Sequence, residues 1–82
     1  MPVFHFDTTN GIAHPDIEGI VLPDIAAARA EALRFAGEVM RDNATFWTNT
    51  GWTLTVTDQA GLTLFMISIA CFDAPAIDRR AH

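Results

Sequence analysis

The sequence predicts an α+β domain: a mainly antiparallel four-stranded sheet with one helix on one face, in the order β-β-α-β-β. Three observations lead there. Asp24 to Asp42 repeats apolar residues at helical spacing. Val3 to Asp7 and Trp52 to Asp58 alternate with the period of a half-buried strand. Each strand is followed by turn formers, Asn10-Gly11 and Asp58-Gln59-Ala60-Gly61, so each can fold back as a hairpin.

In the first strand, Phe4 and Phe6 share one face and Val3, His5 and Asp7 the other, which makes the phenylalanines the core side. Asn-Gly then reverses the chain, because both residues tolerate positive φ. Ile12 to Leu22 is interrupted by His14-Pro15-Asp16 and by Glu18-Gly19, and proline cannot donate to a ladder. The expectation is a short, irregular edge strand, best formed at Gly19-Ile20-Val21-Leu22.

Asp24 is placed to cap the helix by accepting from free N–H groups of its first turn, and the alanine run supplies propensity. At 100° per residue, Ile25, Ala28, Ala32, Phe35, Ala36, Val39 and Met40 gather on one side. Glu31, Arg34, Glu38 and Arg41 gather opposite, with Gly37 toward solvent. Thr45 to Gly51 reads as a loop. In the next strand Trp52, Leu54 and Val56 alternate with Thr53, Thr55 and Thr57, and Gly61 suits the left-handed position of a bulged hairpin.

Leu62 to Ala70 is the last strand, apolar on both faces: Leu62, Leu64 and Met66 on one, Phe65, Ile67 and Ile69 on the other. Such a strand requires cover on both sides, and one helix covers one. Residues 1–72 therefore form the domain, and 73–82 an irregular tail.

Composition narrows the function. The 82 residues fit one domain, and half of them are hydrophobic, more than so small a chain buries easily. A homodimer is the simplest cover for the excess. Ten acidic residues against five arginines give a net charge of −5, which disfavours nucleic acid as a partner. The single cysteine, Cys71, cannot form an internal disulfide. The start M-P-V-F-H-F-D lacks the pattern of a secretory signal. Leu62 to Phe72 is shorter than the ~20 residues of a membrane helix. A cytoplasmic protein with no membrane insertion is expected.

The motifs F-H-F-D, D-I-E-G-I-V-L-P-D, A-A-A-R-A-E-A-L and G-W-T-L-T-V-T-D-Q-A-G-L-T-L-F, in that order, are shared with a known group. From Val3 to Phe65 the chain resembles a domain-of-unknown-function family of small proteins common in alphaproteobacteria. The resemblance implies the β-β-α-β-β fold and brings no activity or catalytic residues with it.

His5, Asp7, His14 and Asp16 form the one cluster of metal-ligand types, brought together if the first hairpin pairs as expected. Their spacing matches no closed zinc or calcium signature, so an exposed H-x-D and a turn histidine are the preferred reading. Arg29 flanks the apolar stripe, where it can reach Asp7 or Asp58 or lay its stem on apolar surface; the second is preferred. Phe46, Trp47 and Trp52 can close a small core or line a pocket. Ser68 has no histidine near it in sequence and Cys71 has no basic neighbour before Arg79, so catalysis lacks its parts and no cofactor is implied.

The expected function is a non-catalytic protein-interaction module. It self-associates through the open sheet face, with Phe65, Ile67 and Ile69 if theirs is that face, or through an edge strand, or it serves as a small subunit of a larger assembly. The alternative is a small-molecule or metal-binding protein, enzymatic or not, using His5, Asp7, His14 and Asp16.

Overall fold

The computed structural model describes residues 2–10, 13–42, 51–72 and 74. Five strands and one helix follow the chain: β1 (Val3–Thr9), β2 (Ala13–His14), β3 (Ile20–Val21), α1 (Ile25–Asp42), β4 (Trp52–Thr57) and β5 (Thr63–Ile69). The α+β class and the β-β-α-β-β layout hold, with the expected irregular edge strand resolved into β2 and β3. Gly11, Phe46, Trp47 and the tail apart from Ala74, for which the sequence raises the expectations above, lie outside the described residues.

All pairings are antiparallel, in the order β2-β1-β4-β5, with β3 also on β1. β1 pairs along its length with β4, from His5 opposite Thr57 to Thr9 opposite Thr53. Its other edge takes β2 at Thr8 and Thr9 and β3 at Val3 and Phe4. On β4, Trp52, Leu54 and Val56 stand opposite Ile69, Ile67 and Phe65. Directly opposed residues project from the same face of a sheet. Phe65, Ile67 and Ile69 therefore share the helix side, and the open face carries His5, Asp7, the threonines of β4, Met66 and Ser68.

The core is small against large. Ala28, Ala32 and Ala36, one helical turn apart, are buried on α1, against Phe4, Phe6, Trp52, Leu54 and Val56 of the sheet. Alanine lets the helix approach closely while the aromatic rings fill the space between. Phe35 meets Trp52 edge to face at 6.0 Å between ring centroids. Two residues of the expected apolar stripe are not covered: Ile25 is 38% exposed and Met40 50%. They lie toward the two ends of the helix, outside the buried run Ala28, Ala32 and Ala36.

The caps are as the sequence suggests. Asp24 Oδ1 accepts the N–H of Ala27 at 2.8 Å. Asp58 Oδ1 accepts from Ala60 and Leu62, each at 2.9 Å, and Gly61 sits at φ +87° in the β4–β5 turn. A register shift at Val56/Thr57 bulges the start of the hairpin. Arg29 is exposed, and the carboxylates once open to it, Asp7 and Asp58, accept backbone N–H groups instead.

Candidate functional site

β2 and β3 leave a gap along the edge of β1, opposite Phe6, and Asp16 fills it. Its Oδ2 accepts the Phe6 N–H at 3.1 Å, where a neighbouring strand would have offered a carbonyl. Its Oδ1 accepts the N–H of Gly19 at 3.1 Å and so closes the loop back into β3. His5 and Asp7, two residues apart and on one face, grip the main chain of Asp16 from either side. His5 Nδ1 donates to the Asp16 carbonyl at 2.7 Å, and the Asp16 N–H donates to Asp7 Oδ1 at 2.6 Å. The carbonyl can only accept, so Nδ1 is the protonated nitrogen of that imidazole.

Three of the four residues singled out as a metal cluster are thus brought together, held to one another largely through main-chain groups. His14 stands apart, exposed on β2 opposite Thr8. Among the described residues, no three side chains of His, Cys, Asp or Glu converge as a group that could hold a metal ion. The sequence signal for this arrangement was the H-x-D spacing together with Asp16-x-x-Gly19, a pattern of local turns as much as of ligands.

A cleft of about 340 Å³ opens between α1 and this edge. Phe6, Phe35 and Ile20 give it an apolar floor, and His14, Asp16 and Arg34 stand among its lining residues. Arg34 is held on the helix: it bonds both oxygens of Glu31 and reaches Glu38 Oε1 at 2.6 Å. The hydrogen bond from Arg34 holds the Glu31 carboxyl below the usual carboxylate range, and the two glutamates raise the Arg34 guanidinium.

The opposite edge of the sheet has none of this closure. β5 has β4 on one side and, among the described residues, no strand on the other. α1 lies closest to β4. Phe65, Ile67 and Ile69 are accordingly only half-buried at the flank of the core, while Met66 on the other face is 58% exposed. Thr53 Oγ1 and Ser68 Oγ lie 3.2 Å apart across the β4–β5 pair, on the open face. Cys71, just beyond β5, is a half-buried free thiol packed against the core.

Among the described residues no helix is long and apolar enough to cross a membrane. No curated protein and no solved structure matches the chain. A family model does match, over residues 3–70, which takes in both the Asp16 closure and the whole of β5. On that match the chain belongs to the family described as Domain of unknown function (DUF6894).

Proposed function

We propose that this chain acts through protein contacts, as a self-associating module or a small subunit of a larger assembly, and that the outer edge of β5 makes the contact. The observation that carries the reading is the contrast between the two edges. One is closed by β2, β3 and the Asp16 carboxylate; the other presents Thr63 to Ile69 with no charged residue, no proline and no covering element among the described residues. An edge of that kind pairs with whatever strand it meets unless a partner already occupies it. In this reading His5, Asp7 and Asp16 serve the fold and not a reaction. Its setting is the cytoplasm, where a lone cysteine such as Cys71 stays reduced.

The test is native mass spectrometry on protein taken gently from its own source, beside the variant Met66→Lys. Lysine at an exposed edge position opposes strand pairing while leaving the core alone. The reading expects a multi-chain species that the variant dissolves. A single-chain mass from both proteins would contradict it.

The cleft beside α1 favours a second reading, a small-ligand site with Phe6, Phe35 and Ile20 beneath the ligand and His14 at its rim. Its volume is within the range of small-molecule sites, ~300–1,000 Å³. Titration with neutral aromatic fragments, followed by amide NMR shifts, checks it. Shifts centred on Phe6, Ile20 and Phe35 support that reading, and shifts scattered over the surface count against it.

A further inference from the structure

We infer that the occupant of the β5 edge is a second copy of this chain, paired antiparallel across a two-fold axis that passes at Met66. The inference rests on the reading of β5 as a contact edge and supplies its partner. Charge is the first argument. In a contact between identical patches, a charged residue near the axis meets its own copy and is repelled. The chain carries a net charge of −5, yet Leu62 to Phe72 contains no Asp, Glu, Lys, Arg or His. A strand selected for an acidic or basic partner would gain from complementary charge; in one that meets itself, a charge on the axis is only repelled, and Met66 and its neighbours carry none.

Register is the second. Antiparallel pairing about Met66 sets Met66 opposite its copy, Phe65 opposite Ile67 of the other chain, and Thr63 opposite Ile69, with the ladder regular from Phe65 to Ile67 and the bulged Leu64 of each copy facing Ser68 of the other. A centre at Phe65 or Ile67 leaves residues unmatched at the ends. The pairing also keeps faces together: Phe65 and Ile67 of both copies fall on the helix side, where they form one apolar band between the two helices. Each copy then covers the half-buried flank that α1 leaves open.

Closure and area agree. The joined sheet ends on both sides at the β1 edge, already blunted by the Asp16 loop, so growth stops at two copies. Leu62 is 64% exposed, Met66 58% and Phe72 83%. At roughly 100–150 Å² of exposed apolar surface apiece, these three approach half of the ~800 Å² each partner gives to a stable interface. The strand backbone and the flanks of Phe65 and Ile67 add to it.

Cysteine cross-linking in the full chain, on a Cys71→Ala background, tests the axis. Opposed Cα atoms of an antiparallel pair lie about 4.5–5.5 Å apart, within disulfide reach. Met66→Cys is therefore expected to give a covalent dimer with a mild oxidant. Thr55→Cys, on the same face and one strand further in, stands about 14 Å from its copy and is expected to give none. Circular dichroism of both variants confirms that the sheet is intact. A dimer by mass with no cross-link at Met66, or an equal one at Thr55, overturns the two-fold axis while the contact edge stands. A chain that is monomeric alone but held in a heteromeric assembly that Met66→Lys disrupts overturns the second copy and also leaves the edge. Assembly indifferent to Met66→Lys defeats both.

Discussion

The Asp16 carboxylate accepts the backbone N–H of Phe6 at 3.1 Å across the gap between β2 and β3, so a side chain stands where a strand is missing. Phe6 is a core residue, and removing its acceptor leaves that donor with poor access to water. Asp16→Ala also releases the Gly19 N–H. An unsatisfied, shielded donor costs ~1–3 kcal/mol, and a loss in that range is expected in urea unfolding. Asp16→Asn retains one acceptor oxygen and should fall between Asp16→Ala and the parent. Equal stability of Asp16→Ala and the parent would remove the closure from the account.

Two glycines are expected to respond to alanine with opposite signs. Gly19 sits at φ +77°, and a Cβ there would meet Val3 Cγ1 at 2.6 Å, so Gly19→Ala combines backbone strain with a clash and destabilises by at least ~1 kcal/mol. Gly37 is helical, exposed and has nothing within 4 Å of a Cβ. Gly37→Ala is expected to stabilise by up to about 1 kcal/mol, raising the thermal midpoint.

Asp24 accepts from Ala27 at the start of α1. Asp24→Ala is expected to cost about 1 kcal/mol, and Asp24→Ser or Asp24→Asn to restore most of it. A variant helix signal that melts at the parent's urea midpoint would contradict this.

The Glu31 carboxyl is held below its ordinary value by the hydrogen bond from Arg34. A carboxylate depressed in the folded state contributes stability above its unfolded value of 4.5, and that contribution is lost as pH falls through the lower folded value. The pair is exposed to solvent and screened by salt, so the effect is small. Glu31→Gln is expected to reduce stability slightly at neutral pH and not at all at acid pH below both values. Urea midpoints at the two pH values check it, and a difference that grows on acidification would carry the wrong sign.

The helix, the cap at Asp24, the β4–β5 turn and the alternation of β1 and β4 were legible because each is a local pattern with its own period or turn chemistry. The orientation of β5 was not. It is apolar on both faces, so periodicity alone cannot say whether Phe65 or Met66 faces the helix; only the pairing of Phe65 with Val56 decides it. Substituting Phe65 or Ile67 with aspartate would consequently damage the core flank as well as any contact, which is why Met66 is the better probe. The His5, Asp7, His14 and Asp16 cluster was found by residue type, but type does not distinguish a side chain that binds a ligand from one that binds main chain. The distinction lies in a gap in the sheet that sequence does not display: the H-x-D expected to be exposed is instead half-buried, with His5 and Asp7 bound to the main chain of Asp16.

Amide hydrogen exchange at two protein concentrations, one well below and one well above the onset of association, tests the central claim most directly. The account predicts that protection rises with concentration at the β5 amides, Thr63 to Ile69, and stays unchanged at the β1 edge around Phe6. Protection of β5 that is independent of concentration, in a protein whose mass shows association, would place the contact elsewhere and contradict the account.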